Sequence, residues 1–229
     1  MEPFAGFSGR GVRVAIIDSG VNPAHPHVAG LAGGICLNPN GASYEDDAGH
    51  GTAVAGAIRE KAPEALLYAV KVFDQRLRTK VEIILQALDW AIENQMQVVN
   101  LSLGTTNPAH RARFEQIIAR ALERNLVLVA AHEMNGQSAL PGVLPGVLPV
   151  ELDWDCPRES YRAVTKEAQT VFLASGYPRP IPGLPLQQNL NGISFAVANM
   201  TGLVVRAKQA YPQAPLPEIM RLLTETQCE

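Results

Sequence analysis

The stretch from Ala65 to Ala131 constrains the chain most, because strand-like and helix-like apolar patterns alternate through it with short connections. Ala65-Leu66-Leu67-Tyr68-Ala69-Val70-Lys71-Val72-Phe73 reads as a strand. Val81, Ile84, Leu85, Leu88 and Ile92 recur at three-and-four spacing, as one face of a helix does. Val98-Val99-Asn100-Leu101-Ser102-Leu103 is another strand, Phe114, Ile117, Ile118, Ala121 and Leu122 mark a second helix, and Leu126 to Ala131 form a further strand. Strands joined by helices of this length run parallel through right-handed crossovers. The expected fold class is α/β: three layers, with a mostly parallel central sheet and helices on both faces. No linker or composition break divides residues 1–229, so one domain is expected.

Composition removes several classes of function. Apolar residues make up 47% of the chain and charged residues 18%, as a well-buried core requires and a disordered tail does not. A net charge of −3 gives no electrostatic case for nucleic acid. No apolar run reaches membrane-spanning length, and no basic-then-apolar leader opens the chain, so neither a membrane nor a secretion route is expected. Cys36, Cys156 and Cys228 are too few and too scattered for a disulfide or zinc framework, which favours a cytoplasmic location. No metal or other cofactor is called for.

Three short stretches carry chemistry. Val12-Arg13-Val14-Ala15-Ile16-Ile17 reads as a buried strand ending at Asp18-Ser19-Gly20, which puts an acid where open α/β sheets bind ligands. A residue there can equally do no more than tie down its own turn. His50 stands between Gly49 and Gly51 at the start of a helical pattern, exposed to a cleft by the flanking glycines. Ser194 follows Asn191-Gly192-Ile193 and precedes Ala196, Val197, Met200, Leu203, Val204 and Ala207, one apolar helical stripe. Taken alone, Ser194 reads as an N-cap. Together, Asp18, His50 and Ser194 supply the acid, base and nucleophile that acyl transfer needs. Asp46 and Asp47 read as loop acids, and His25 and His27 as a solvated loop without a third metal ligand.

Ile17-Asp18-Ser19-Gly20-Val21, His50-Gly51-Thr52-Ala53-Val54-Ala55-Gly56 and Asn191-Gly192-Ile193-Ser194-Phe195-Ala196 resemble the three signature blocks of the subtilisin-like serine peptidases, in that family's Asp, His, Ser order. Ala62 to Val72 and Asn100-Leu101-Ser102-Leu103-Gly104 resemble further family segments. The resemblance implies that Ser194 attacks a scissile carbonyl, His50 carries the proton and Asp18 orients His50. It also implies that Ser102, Leu103 and Gly104 present backbone groups to an extended peptide. The implied partner is a peptide or protein substrate, and the implied activity is that of a serine endopeptidase of restricted specificity.

The chain departs from the family at several points. The family places an asparagine amide against the developing oxyanion. Here Ala130-Ala131-His132-Glu133-Met134-Asn135-Gly136 aligns Glu133 there without a gap and Asn135 with a two-residue insertion. Asn135 is the expected donor and His132 the alternative. Such a donor is worth about 10²–10³ in rate, so a peptide-binding protein with impaired turnover is the competing reading. The stretch from Ile58 to Pro63 is too short for the family's calcium loop, no proline interrupts Val197-Ala198-Asn199, and no pro-segment is expected before residue 11. A nucleotide-binding domain would share the fold class, but Asp18-Ser19-Gly20-Val21-Asn22-Pro23 offers one glycine and no phosphate loop. Residues 151–170 carry no clear pattern, and Leu140-Pro141-Gly142-Val143-Leu144-Pro145-Gly146-Val147 reads as a proline-broken loop leading into a strand.

Overall fold

The structure is a computed structural model and describes residues 3–39, 41–74 and 76–227; Cys228 lies outside them. Ten strands are described: β1 (Arg13–Asp18), β2 (Gly33–Cys36), β3 (Leu66–Lys71), β4 (Val98–Leu101), β5 (Val127–Ala131), β6 (Glu133–Met134), β7 (Gln137–Ser138), β8 (Leu148–Leu152), β9 (Tyr161–Lys166) and β10 (Gln169–Ala174). The helices are α1 (His50–Lys61), α2 (Val81–Glu93), α3 (Arg111–Glu123), α4 (Ile193–Ala210) and α5 (Leu216–Thr226).

Eight strands form one sheet in the order β2-β3-β1-β4-β5-β8-β10-β9. Every pairing in it is parallel except β9 with β10. Alternation along β1 assigns the layers. Val14 and Ile16 join one core with residues of α1, α4 and α5, whereas Ala15 and Ile17 join a second core with α2 and α3. Both faces of the sheet are covered, which is why the central strands are apolar without a break.

Helix α4 departs from the expected single stripe. Every residue from Phe195 to Lys208 is buried, so the helix runs through the interior. Each fully buried Val, Leu or Phe in it contributes about 1.5–3 kcal/mol. Its polar residues are individually satisfied: Thr201 Oγ1 donates to Asn100 Oδ1 at 3.0 Å. Lys61 Nζ donates to Asn199 Oδ1 at 2.7 Å, and Asn199 Nδ2 donates to the Ser175 and Tyr177 carbonyls at 2.8 and 3.0 Å. Asn199 thus locks α1, α4 and the β10–α4 connection together.

Residues 151–170 hold the end of β8, a loop and most of an antiparallel hairpin. Glu167 and Ala168, with φ of 47° and 64°, make its two-residue turn. The second apolar residue of the α3 pair, Leu122, is 41% exposed and lies outside the core that takes Ile118 and Ala121.

Candidate active site

The central strands end at one edge, where the chain switches from building the sheet outward through β2 and β3 to building it through β4 and β5. Asp18 ends β1, Ser102 follows β4, and α1 and α4 begin here. His50 is the first residue of α1, after Gly49 at the cap position. Gly51 lets that helix start close on β1: a Cβ there would sit 2.1 Å from the Gly20 carbonyl oxygen and 3.1 Å from Asp18 Cβ.

His50 Nδ1 lies 2.7 Å from Asp18 Oδ1, which also accepts the Ser19 N–H at 2.7 Å. Asp18 is fully buried, while the His50 side chain keeps 23% exposure. Asp18 Oδ2 is buried with no hydrogen-bond partner among the described residues, so the carboxylate is directed at the imidazole and little else. Burial is the largest single influence on His50 and disfavours its charged form, but the hydrogen bond and charge of Asp18, with the charge of Asp46, outweigh it and raise the pKa. Nδ1 donates to the carboxylate, so neutral His50 presents Nε2 as an acceptor.

Ser194 is not the N-cap expected from the sequence alone. Gly192 occupies that position with φ 128° and ψ −173°, a conformation open essentially to glycine, and Ser194 is the second helical residue of α4. Its hydroxyl is therefore not spent on capping, and its N–H is one of the amides that the helix leaves without an internal partner. Ser194 Oγ donates to the Ser102 carbonyl at 3.2 Å, while Ser102 Oγ donates to the Ser194 carbonyl at 3.2 Å. Ser102 Oγ also accepts from Asn100 Nδ2 at 2.8 Å. His50, Ser102, Leu103, Gly104 and Ser194 line one cleft of about 540 Å³.

A second cavity, of about 530 Å³, brings Ser194 and Gly192 together with Glu133 and Asn135. Strands β6 and β7 form a hairpin whose turn is Asn135-Gly136, with φ of 52° and 77°, the conformation that favours Asn-Gly. His132 Nδ1 is engaged with Glu151 Oε1 at 2.8 Å, and His132 lines neither cavity.

Two supports were not apparent from sequence. Asp46, read as a loop acid, caps α1: Oδ1 accepts from Ser19 Oγ and the Ala48 and Gly49 N–H groups, each at 2.9 Å, and Oδ2 accepts from Thr52 N at 2.8 Å and Thr52 Oγ1 at 2.6 Å. Ser19 Oγ in turn accepts the Gly51 N–H at 2.9 Å, so Asp46 and Ser19 hold the turn that carries His50. An acid a few residues ahead of a helix start was the available signal. Asn100 was the other: a polar residue within an apolar strand, two residues before Ser102 and on its face.

This fold and edge define a class, an α/β protein whose parallel sheet gathers an acid at a strand end and an imidazole and a hydroxyl at helix starts along one edge. The subtilase family matches residues 9–149, and the chain belongs to that family of subtilisin-like serine peptidases. Subtilisin BL of Lederbergia lenta is 33% identical over 233 residues, spanning 96% of this chain and 85% of that protein. The thermostable alkaline protease of Halalkalibacterium halodurans is 30% identical over 241 residues, spanning 96% of this chain and 63% of that protein. The minor extracellular protease Epr of Bacillus subtilis is 40% identical over 141 residues, 58% of this chain, and the chain spans 21% of it. A crystal structure of a cold-adapted subtilisin-like serine proteinase superposes with a TM-score of 0.75 at 20% identity, covering 96% of this chain and 84% of that one. That likeness establishes the fold.

Proposed function

We propose that the chain is a serine endopeptidase in which Ser194 attacks the carbonyl of a peptide bond, forming an acyl-enzyme that water hydrolyses. His50 Nε2 takes the Ser194 proton and returns it to the leaving amine, and Asp18 holds Nδ1–H and the imidazolium. The Ser194 N–H and the Asn135 side-chain amide donate to the oxyanion, and the acyl half of the substrate extends along Ser102, Leu103 and Gly104. The observation that carries the reading is the 2.7 Å contact from His50 to a fully buried Asp18, in a chain whose Ser194 shares a cleft with that imidazole. Narrow specificity, as in removal of a leader peptide, belongs to the same proposal. So does a cytoplasmic location, supported by Cys36 and Cys156 both being thiols.

One observation favours the alternative of a peptide-binding protein with impaired turnover: Ser194 Oγ donates to the Ser102 carbonyl, which holds its proton away from a base. Labelling by a fluorophosphonate probe decides between them. Covalent modification of the wild type and none of Ser194→Ala supports the peptidase; an unlabelled wild type removes it.

A further inference from the structure

A third cavity, of about 240 Å³, lies beside the start of α1 on a wall that includes Gly49, Thr52 and Ala53 from the first turn of the helix that His50 opens. Its far side carries Arg179, with Asn189 and Leu190 from the segment leading to Ser194. His25 and His27, expected from sequence in a solvated loop, are half-buried and line it as well.

The hydrogen-bond inventory of this cavity is one-sided. Its acceptors are already engaged. Both oxygens of Asp46 accept within the cap described above, Asn189 Oδ1 accepts the Leu190 N–H at 2.8 Å, and Asn22 Oδ1 accepts the Ala24 N–H at 3.0 Å. Its donors are not. Arg179 has no carboxylate partner among the described residues, and its guanidinium makes a single long contact, Nη1 to the His27 carbonyl at 3.4 Å. His25 Nδ1 accepts the His27 N–H at 3.2 Å, which places the proton of a neutral His25 on Nε2 as a further donor. Glu60, an acid outside the cavity whose charge reaches His27, is engaged by Arg158 and Lys61. Burial is the largest influence lowering the His27 pKa; the charges of Arg179 and His25 add to it and that of Glu60 opposes it. A half-enclosed space whose carboxylate is spent on the α1 cap, and whose guanidinium has no acid partner among the described residues, suits an anion.

We infer that this cavity binds a carboxylate of the substrate on the leaving-group side of the scissile bond, with Arg179 as the residue that selects it. The carboxylate comes either from an acidic side chain or from the substrate's own C-terminus. The inference rests on the peptidase reading only for the direction of the substrate. With the acyl half along Ser102–Gly104, the leaving half runs to the other side of the imidazole, and this cavity is walled by Gly49, next to His50 in the chain, and by Asn189 and Leu190 ahead of Ser194.

The test is made in Ser194→Ala protein, so that binding is read without turnover. Fluorescein-labelled peptides share a mixed-sequence acyl half and differ in the leaving half. One set carries Asp and one Asn at each of the first three positions, both with amidated ends, and a third set carries Asn with a free C-terminal carboxylate. Polarisation titrations are expected to show a carboxylate peptide binding about fivefold to tenfold more tightly than its amide counterpart, the range for a charge-assisted hydrogen bond at a partly solvated site. The advantage disappears in Ser194→Ala/Arg179→Gln. The Asp and free-terminus sets identify the source. Equal affinities in all sets, no binding in any, or an advantage unchanged by Arg179→Gln overturns the inference. Probe labelling of the wild type separates it from the peptidase reading. A labelled protein without carboxylate preference removes this site alone, and an unlabelled protein with the preference removes the chemistry and keeps the site.

Discussion

Asp46→Asn isolates the acid that holds the histidine turn. The carboxylate accepts five hydrogen bonds, three on Oδ1 and two on Oδ2. An asparagine has one oxygen. Whichever side it takes, its NH₂ faces donors on the other, so at least the pair from Thr52 or the set from Ser19, Ala48 and Gly49 is lost. Two bonds to a charged acceptor are worth about 1.5–3 kcal/mol each. Discounted for partial exposure and non-additivity, the expected loss is about 2–4 kcal/mol. In a chain of this size that lowers Tm by about 5–15 °C. The pH dependence has a definite sign. Burial would raise the Asp46 carboxyl, but the bonds from Thr52, Ala48 and Gly49 outweigh it and hold the pKa below the ordinary value. Its contribution is therefore complete above the unfolded carboxylate value near about 3.9 and fades as pH falls through the lower folded value. Urea unfolding of Ser194→Ala and Ser194→Ala/Asp46→Asn, followed by tryptophan fluorescence from pH 7 to pH 3, measures the gap. A gap below about 1 kcal/mol at pH 7, or one that widens on acidification, would refute the capping argument.

Other outcomes follow from the same geometry. With neutral His50 as the proposed base and its pKa raised, the acidic limb of kcat/KM should lie above the ordinary histidine value of about 6.5, and Asp18→Asn should reduce kcat by about 10⁴-fold; a limb at or below that value contradicts the Asp18–His50 coupling. Gly51→Ala should force α1 away from β1, costing about 1–3 kcal/mol in urea unfolding and roughly 10²-fold in turnover; near-wild-type values for both would show that the close approach is dispensable. Burial, aided by the charge of Arg158, pushes the Lys61 ammonium down to about 8. Between about pH 8 and 10.4 the unfolded chain holds a proton that the folded chain has released, so stability should rise across that window. Lys61→Met should flatten the rise, and an identical pH profile in the variant would argue against a charged buried lysine.

The parallel sheet and its helices were legible because Val, Ile and Leu recur with clear periods in β1, β3, β4, β5, α2 and α3. Pattern fails where residues serve neighbours rather than period. Gly33-Gly34-Ile35-Cys36 has little strand propensity and becomes β2 only by pairing with β3. The β9–β10 hairpin turns at Glu167-Ala168, a pair with none of the Asn or Gly preference that marks such turns. Asp18, His50 and Ser194 could be singled out by motif, and the structure brings Asp18 against His50. The roles of Asp46 and Asn100 depend on partners up to about a hundred residues away in the chain, which no local window reports. Lys61 looks like a helix-end cation at the surface, yet it is buried against Asn199, 138 residues onward.

Helix α4 has a consequence for how the molecule is made. It is the interior element against which α1, β4, β5, β8 and β10 pack, and it follows all of them in the chain. Non-local contacts of this kind are slow to form, since closing long loops costs entropy before the contacts repay it. Until residues 193–210 are seated, the sheet face they cover is open and the hydroxyl of Ser194 has no imidazole beside it. Assembly of the cleft that Ser194 shares with His50 is thereby coupled to completion of the core, so on the proposed mechanism a partly collapsed chain would be unable to cut its neighbours.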